Sequence, residues 1–576
     1  MAASRQHWLL FLLTLAAGLL WAVIRIQPPA PLPANAPPEQ FSAARAMADV
    51  RVLARAPHPT GSTASAAVLA HLEARLSSLG FTSRRVVTAL PERPAKRLAK
   101  WGGDPSQPAI SLVATRAGRD PALPAVALMA HHDSVWASPG AADDIAGVAA
   151  ALEIARAIPQ ASQARDLVLI FTDAEELGLV GAAAIFAKGA AADPVVARLG
   201  VVMNLEARGG GGRTMMFQTG PDNGDLVQLL ATASPGASAS SVAVTVYESL
   251  PNDTDFTPVL GRGIAGLNFA FIGEAWGYHS PLMTPDRLER GALQHLGDSA
   301  LGITRALLTA DALPAKAPSA VFATMPGLGL LVYPPATGWM LLGGTALLLA
   351  LTAWWRRADW TLSASLLAFG QALLTFIVAG LLMFGLNLVS GSVGAEYYDR
   401  LAALPRLEAV AGLAALAALL FSAAAPMGLL WDRWLTFVKL CFLAALAMQI
   451  WLPGAGPVFA WPALLAALAA AIGARLQGLA QLVLAALLAI PGLALTAELA
   501  HFAFLGVGAP MPWVTAALLI PVLALLAPLL PAGPRVPARI GGVAAIGMAF
   551  ALALWVNLDA PAPSVPPYAG TEKSQG

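Results

Sequence analysis

The arrangement of hydrophobic and polar residues differs between the two halves of this chain. From about Gln40 to Asp311, short apolar runs of strand length alternate with segments that contain charged residues and histidines. From Gly338 to Leu558 the chain is mostly leucine and alanine. Alternating strand and helix patterns are typical of an α/β domain, and long apolar runs are typical of membrane-spanning helices. We therefore predict a soluble α/β domain followed by an all-α membrane domain.

The first half is predicted to form a mainly parallel mixed sheet flanked by helices. Short apolar runs indicate buried strands, and longer alanine-rich or amphipathic runs indicate helices. Gly80 favours the end of the second helix. The predicted strands are Ala125–Ala130, Leu167–Phe171, Val201–Leu205 and Ile264–Ile272, and the predicted helices are Phe41–Ala54, Thr63–Leu79, Ala146–Ala157 and Asp286–Leu308.

The second half contains about eight apolar runs near the length of about 20 residues that crosses a bilayer. Another apolar segment, Trp8–Ile24, precedes the α/β domain and is flanked by Arg5 and Arg25. It is either a cleaved signal peptide or a retained signal anchor, and its length favours the anchor. The predicted parts are a first helix at 1–27, a proline-rich spacer at 28–40, the α/β domain at 41–312, a linker at 313–337, the membrane domain at 338–558 and a polar tail at 559–576.

Charges between the apolar runs predict how the chain is oriented in the bilayer. Arginine and lysine concentrate in cytoplasmic loops. With a cytoplasmic amino terminus, these loops would contain Arg356, Arg357, Arg433, Arg475, Arg535 and Arg539. The opposite loops would contain Glu396, Asp399 and Glu498, with Arg400 and Arg406 as exceptions. This bias predicts that the α/β domain lies outside the cytosol, in a bacterial periplasm or a eukaryotic lumen.

Few titratable residues fall within the apolar runs, which disfavours a transporter because transport paths are lined by such groups. Lys439 is predicted near a helix end, and Glu498 and His501 are predicted in a loop. The net charge of +1 does not favour a nucleic-acid partner. The single cysteine, Cys441, excludes a disulfide within the chain.

Residues of the types that bind metals follow two of the predicted strands. His131, His132 and Asp133 follow the first strand, with Asp143 and Asp144 about ten residues further on. Asp173, Glu175 and Glu176 follow the second strand. Reactive groups collect at the carboxyl ends of strands in open α/β sheets, so this arrangement predicts a metal-dependent hydrolase.

Five side chains form a candidate ligand set for two zinc ions. Zinc binds imidazole nitrogen and carboxylate oxygen, and a two-metal site needs a shared carboxylate with terminal ligands on either side. The candidates are His131, Asp143, Glu176, Glu206 and His279.

The motifs around these residues resemble a known family. The segments HHDSVWASPGAADDIAG, FTDAEELGLVG, NLEA with its glycine-rich tail, and YHSPLMTPD resemble the co-catalytic di-zinc aminopeptidases, peptidase family twenty-eight. The segment FQTGPDN and the long apolar half are closest to its membrane-bound branch, which includes endoplasmic-reticulum metallopeptidases and vacuolar membrane proteases. The resemblance covers about Ala43 to Leu307 and implies a zinc exopeptidase-like fold.

The resemblance also implies a role for each residue. His131 and Glu206 would bind one zinc, Glu176 and His279 the other, and Asp143 would bridge them. Glu175 would be the general base and Asp133 would orient His131 from the second shell. Much of the family has Asp where this chain has Glu206, and His132 stands where a bulky residue is common. His132 should point away from His131, because successive strand residues face opposite sides.

Other residues near these motifs have simpler interpretations. Asp144 is expected to lie in a loop or at the start of a helix, and Gly209–Gly212 to form a flexible cleft edge. Asp253 and Asp255 are expected to form a turn, and the alternative is that they line the substrate cleft. Tyr278 could either pack or donate a hydrogen bond to an oxyanion. The sequence therefore predicts a membrane-anchored zinc aminopeptidase that acts on peptides with a free amino terminus. The alternatives are a non-catalytic receptor or scaffold, a transporter with a peptidase-like domain, and a single-zinc glutaminyl-cyclase-like enzyme.

Overall fold

The computed structural model describes residues 2–189, 192–357, 361–393, 397–424, 430–530 and 535–559. Apart from Asp559, the predicted polar tail lies outside these ranges, as does Glu396. The chain divides into two compact units. One, the α/β unit, comprises Gln27–Thr324 and Gly329–Tyr333, and the other, the membrane unit, comprises the first helix, Met325–Leu328 and the described residues from Pro334 onward.

The α/β unit is built on a seven-stranded mixed sheet in the described residues. The strand order is β1-β2-β4-β3-β5-β7-β6. The strands are β1 Thr82–Thr88, β2 Ala109–Arg116, β3 Ala125–His131, β4 Leu167–Thr172, β5 Leu199–Ala207, β6 Met215–Thr219 and β7 Ala265–Phe271. The four central strands pair in parallel, whereas β1, β2 and β6 pair antiparallel at the two sides. The predicted mixed sheet is confirmed, and its parallel part is limited to the four central strands.

The register of the parallel pairs brings the ends of the central strands to one edge of the sheet. His131 at the end of β3 is opposite Thr172 at the end of β4, and Glu206 of β5 is opposite Ala270 of β7. The chain runs from β3 to β4 on one side and then crosses to β5 on the other. Ligands bind at such a change of direction, beyond the carboxyl ends of the strands.

Apolar side chains cover both faces of the central strands. In β3, Val126, Leu128 and Ala130 pack into one hydrophobic cluster, while Ala127 and Met129 pack into the cluster on the opposite face. This explains why the central strands have continuous apolar sequences. The helices of the unit are α2 Ala43–Leu53, α3 Thr63–Ser78, α4 Glu92–Lys100, α5 Ile145–Ala157, α6 Val180–Ile185, α7 Gly224–Ala233, α8 Ser241–Glu248, α9 Phe256–Gly261 and α10 Arg290–Thr309.

The segment predicted as a linker, 313–337, contains two strands. They are β8, Val321–Met325, and β9, Gly329–Tyr333, which pair with each other. Gly327 between them has a positive φ of 77°, which suits a turn. Ala320 N–H donates to Asn223 Oδ1 at 3.0 Å, so this segment packs against the α/β unit. Its apolar run VFATM has the β-branched and aromatic residues that strands favour.

Eight helices in the described residues are long and apolar enough to cross a membrane. One of them is the first helix, and the predicted run at 457–474 corresponds to a shorter apolar helix, Pro457–Gly473. These helices make the chain a multi-pass membrane protein. The α-helices of the membrane unit in the described residues are α1 Ala2–Ile26, α11 Pro335–Trp355, α12 Leu362–Val389, α13 Tyr397–Ala402, α14 Leu404–Ala424, α15 Leu430–Trp451, α16 Pro457–Gly473, α17 Gly478–Ala503, α18 Leu519–Leu526 and α19 Arg535–Leu558. The eight spans do not include α13 and α16, which are shorter, and α18 is the α-helical part of the span Pro512–Leu529.

Several predictions about charged residues in the membrane half are wrong. Four arginines predicted in loops lie near the starts of α14, α15 and α19, because these helices begin before their apolar runs: Arg406, Arg433, Arg535 and Arg539. Glu498 and His501 lie within α17 and not in a loop, because the helix-favouring sequence around them continues to Ala503. Lys439 lies near the middle of α15 and not near its end, because that helix begins earlier than its apolar run. Glu498 is paired with Arg25 at 2.7 Å, and His501 Nδ1 is 2.7 Å from Glu408 Oε1.

Candidate metal centre

Asp143 lies between two histidines at the carboxyl-terminal edge of the central strands. Its Oδ1 atom is 3.0 Å from Nε2 of His131, and its Oδ2 atom is 3.1 Å from Nε2 of His279. His131 is the last residue of β3, and His279 lies in the loop after β7. All three side chains are buried. One carboxylate therefore contacts two imidazoles that come from different strands.

Two more carboxylates complete two groups of side chains that could each hold a metal ion. Oε1 of Glu176 is 2.9 Å from Nε2 of His279, and Oε2 of Glu206 is 4.0 Å from Nε2 of His131. Within each group the candidate ligand atoms lie within 4.8 Å of one another. The groups are Asp143, Glu176 and His279, and His131, Asp144 and Glu206. The fold thus brings together all five side chains proposed as ligands from the sequence, and metal binding by each of them stays a prediction.

Asp133 joins the loops that follow β3 and β4. Its two carboxylate oxygens accept hydrogen bonds from the backbone N–H groups of Glu175 at 3.1 Å and Glu176 at 3.2 Å. Nδ1 of His131 faces the backbone carbonyl of Asp133 at 3.0 Å, whereas the carboxylate is 3.5 Å away. The residue therefore orients His131 mainly through its backbone, and its charge is directed to the Glu175–Glu176 loop.

The surroundings of His131 leave one ring nitrogen suited to a metal. A carbonyl oxygen can only accept a hydrogen bond, so Nδ1 beside the Asp133 carbonyl carries the proton. In the neutral ring the lone pair is then on Nε2, the nitrogen that faces Asp143 and that could bind a metal ion. Oε1 of Glu176 is buried and, within the described part of the chain, makes no hydrogen bond despite its proximity to His279. A buried carboxylate oxygen without a hydrogen bond, close to an imidazole nitrogen, fits a ligand to a shared cation.

Burial and mutual repulsion perturb the carboxylates of this cluster. Burial raises the pKa of Glu206 to about 8, and the charge of Asp143 adds to the shift. Burial likewise raises the pKa of Glu176. Burial also acts against the ionised form of Asp143, but hydrogen bonds from His131 and His279 outweigh it and lower the pKa of this carboxyl. So many buried acids in one place need positive charge, which divalent cations would supply.

Glu175 is half-buried beside Glu176, in the loop after β4. Burial raises its pKa well above the usual value, and the charges of Glu176 and Glu206 raise it further, while His131 opposes them. Glu175 belongs to neither candidate ligand group, and the same holds for Asp133 and Asp255.

Three neighbouring acids and histidines have structural contacts. Asp144 is the N-cap of α5, where its Oδ1 accepts from Gly147 N–H, as expected for a helix-start residue. His132 points away from the cluster, and its Nε2 donates to the carbonyl of Ile110 at 3.0 Å. Asp173 accepts hydrogen bonds from the Thr60 hydroxyl at 2.8 Å and from Ile110 N–H at 2.7 Å. The sequence grouped Asp173 with ligand-type residues, but these bonds occupy its carboxylate.

Asp255 is a functional candidate for which the sequence favoured a turn over the alternative of lining the substrate cleft. It is fully buried and accepts a hydrogen bond from the hydroxyl of Thr172, the last residue of β4. Its charge contributes to the raised pKa of Glu175 and Glu206, so it lies close to the cluster. Its position depends on tertiary contacts with β4, which no local pattern around a turn reveals.

Tyr278 packs directly on a candidate ligand. Its ring is stacked on that of His279, with centroids 3.6 Å apart and an interplanar angle of 20°. Burial raises the pKa of its hydroxyl well above the usual value, and the nearby charges of Asp143 and Glu176 raise it further. Of the two roles expected for Tyr278, packing is directly visible in this stacking.

The α/β sheet with a buried cluster of carboxylates and histidines at its carboxyl-terminal edge defines a metallohydrolase-type domain. Residues 111–304 match Peptidase family M28, so the chain carries a domain of this family. The matched relatives include endoplasmic reticulum metallopeptidase 1 of Homo sapiens, which is 35% identical over 217 residues, or 36% of this chain. They also include the vacuolar membrane protease of Yarrowia lipolytica, 28% identical over 207 residues. This agrees with the membrane-bound branch indicated by the sequence.

The chain spans only part of these relatives, with 24% of the human protein and 20% of the yeast protein matched. Solved structures with similarity include an aminopeptidase from Aneurinibacillus sp. strain AM-1, at 16% identity and a TM-score of 0.37, covering 49% of this chain and 97% of that one. A glutaminyl cyclase from Porphyromonas gingivalis matches at 17% identity and a TM-score of 0.35, covering 46% of this chain and 98% of that one.

Proposed function

We propose that this protein is a membrane-anchored, zinc-dependent aminopeptidase. The contacts of Asp143 with His131 and His279 support the proposal most strongly, because a carboxylate shared by two imidazoles is the arrangement that a two-metal hydrolase requires. Two zinc ions per chain would be held by His131, Asp143, Glu176, Glu206 and His279. Zinc held there would polarise the scissile carbonyl and lower the pKa of a bound water.

Glu175 is proposed as the general base. It accepts a proton from the attacking water and returns it to the nitrogen of the leaving amine. Its place next to Glu176, held through the Asp133 hydrogen bond to its backbone, supports this role. Burial raises the pKa of the Glu175 carboxyl, which makes it a stronger proton acceptor. A receptor or scaffold would not need a half-buried acid here, so this residue favours the enzyme over those alternatives.

A substrate with a free amino terminus fits the charge of the site. The cluster holds more buried acids than the five proposed ligands, including Glu175 and Asp255. These extra negative charges would favour a positively charged amino terminus over a blocked one. We therefore propose that the site acts as an exopeptidase site, which removes residues from the amino terminus of a peptide.

Hydrolysis by purified full-length protein tests this proposal. Free and amino-terminally blocked peptides would be incubated with the protein in detergent, before and after treatment with a chelator and addition of zinc. We expect cleavage of the free peptides only, loss with the chelator and recovery with zinc. Glu175→Gln should lower kcat by roughly 10²- to 10⁴-fold while the zinc content stays unchanged. Full activity of this variant would refute the assignment of the base.

The arginine pattern supports an extracytoplasmic α/β unit. Arg356, Arg357 and Arg475 follow or precede apolar helices on the side predicted to be cytoplasmic. Labelling with a membrane-impermeant thiol reagent in intact cells tests this orientation. In a Cys441→Ser background, Ser106→Cys should react, because Ser106 is exposed in the α/β unit. Arg357→Cys should react only after the membrane is opened, and the reverse pattern would refute the orientation.

A further inference from the structure

Arg208 follows the candidate ligand Glu206 by two residues, at the end of β5. Its backbone N–H donates to the carbonyl of Phe271 at 3.0 Å, which continues the β5–β7 ladder by one step. Side chains alternate between the two sides of a strand. Arg208 and Glu206 therefore leave the strand on the same side, with Ala207 on the other.

The loop that begins at Arg208 is in backbone contact with the loop that carries His279. Gly211 N–H donates to the carbonyl of Gly273 at 3.1 Å. A Cβ atom added at Gly209 would lie only 2.1 Å from the Gly273 oxygen, so only glycine allows this approach. The glycine-rich tail of the NLEA motif thereby holds Arg208 near the Tyr278–His279 segment.

Arg208 has no counter-ion among the residues that the structure describes. Its side chain is half-buried and, among the described residues, makes no ion pair or hydrogen bond. Other arginines of this unit are paired with carboxylates, such as Arg45 with Glu153 at 2.7 Å and Arg198 with Asp166 at 2.7 Å. Arg208 is among the charges that act on the Tyr278 hydroxyl, so the two side chains lie near each other.

We propose that Arg208 determines specificity by binding the carboxylate of a short peptide, above all the terminal carboxylate of a dipeptide. This inference rests on the proposed peptidase function. In a dipeptide the terminal carboxyl carbon is two bonds from the leaving nitrogen, so an anion-binding group at the edge of the site can reach it. A planar guanidinium binds a carboxylate with two parallel hydrogen bonds. The acids of the cluster repel that carboxylate, so its binding requires a positively charged side chain nearby.

The test compares a dipeptide with its carboxyl-terminal amide, which differs only in the charged group. A third substrate, a dipeptide amide with an acidic second residue, shows whether a side-chain carboxylate can take the same place. We expect Arg208→Met to reduce kcat/KM for the free dipeptide by about 10- to 100-fold, mainly through a higher KM. The kcat/KM for the neutral amide should change by less than about threefold. Arg208→Lys should recover part of the loss.

Arg262→Met is the matched control, because Arg262 is an exposed arginine at the opposite end of β7 and its loss changes the net charge equally. This variant should have the wild-type kcat/KM for both the dipeptide and its amide. The inference would be overturned if Arg208→Met lowered kcat/KM equally for the dipeptide and its amide, or lowered it for neither. Thermal midpoint and zinc content would be measured for every variant to detect misfolding.

Binding to a Glu175→Gln protein separates this inference from the proposed function. Equilibrium binding of the dipeptide and its amide would be measured with and without Arg208→Met, whether or not the wild-type protein hydrolyses either. Tighter binding of the acid that depends on Arg208 supports the inference even if no hydrolysis is found. Equal binding of acid and amide contradicts it even if the protein proves to be an aminopeptidase.

Discussion

One carboxylate oxygen of Asp133 accepts a hydrogen bond from the backbone N–H of Glu175, with 3.1 Å between the two atoms. Asp133 follows β3 and Glu175 follows β4, so the bond joins the loops after two adjacent parallel strands. The second oxygen accepts from Glu176 N–H, and the backbone carbonyl of Asp133 faces His131. Asp133 therefore positions the proposed base, Glu175, and two candidate ligands, Glu176 and His131.

Replacing Asp133 by asparagine should weaken both metal binding and catalysis. The amide keeps the size of the side chain but has one acceptor oxygen, so one of the two backbone N–H groups loses its partner. We expect kcat/KM or zinc affinity to fall by about 10- to 100-fold, the usual range for groups that hold metal ligands. Asp120→Asn, on an exposed residue, is the charge-matched control. Zinc titration and kinetics unchanged from wild type would show that the Asp133 contacts are not needed.

The proposed sharing of Asp143 predicts unequal losses of metal. Asp143→Ala removes a ligand from both positions, whereas Glu206→Ala and His279→Ala each remove a ligand from one. After dialysis we expect close to no zinc per chain in the first variant and about one in each of the others. Elemental analysis by mass spectrometry measures this directly. An Asp143→Ala protein that holds as much zinc as the wild type would rule out the bridge.

The sequence predicted the strands that carry the site because those strands are buried on both faces. The run LVLIF in β4 contains only apolar residues, which indicates a buried strand, and the structure extends the predicted strand by one residue to Thr172. The side strands were missed. The β1 sequence TSRRVVT is largely exposed and pairs on one side only, so it lacks the apolar pattern of a central strand.

Residues that enter the site through tertiary contacts were harder to predict. Asp255 reaches the cluster by its bond to Thr172, and the turn pattern around it could not decide between a turn and a place in the cleft. Arg208 could have been found, because its spacing of two from Glu206 places both on one side of a strand. The role of Asp133 was implied by the family resemblance, and its backbone carbonyl is the group nearest the His131 ring.

His295 should make the stability of the α/β unit depend on pH. Burial lowers the pKa of this histidine to about 4, and the charge of Arg213 contributes. Between pH 6.5 and about 4 the unfolded chain binds a proton there that the folded chain does not, so stability falls as the pH is lowered through this window. The loss amounts to roughly 3 kcal/mol. In His295→Gln the thermal midpoint should fall less steeply between pH 6.5 and 4.5, and parallel curves would contradict this.

The first helix is packed against α17 within the membrane unit. Arg25 Nε is 2.7 Å from Glu498 Oε2, and both side chains are largely buried. Gly18 allows the two helices to approach, since a Cβ atom there would lie 2.7 Å from Cβ of Leu493. A helix with these contacts is expected to remain in the mature protein as an anchor.

We therefore predict that the intact mass of the purified protein includes residues 1–26 and that the Arg25–Glu498 pair stabilises the membrane unit. Arg25→Gln or Glu498→Gln leaves a buried charge without its partner, which typically costs about 3–5 kcal/mol, so both variants should have a lower thermal midpoint in detergent. The charge swap Arg25→Glu with Glu498→Arg should restore most of the loss, because the pair reforms with opposite polarity. Lys439→Gln, which removes an exposed charge from α15, should leave the midpoint near that of the wild type. A mature chain that begins after the proline-rich spacer, or single variants as stable as the wild type, would show that this helix is cleaved or that the ion pair does not hold it.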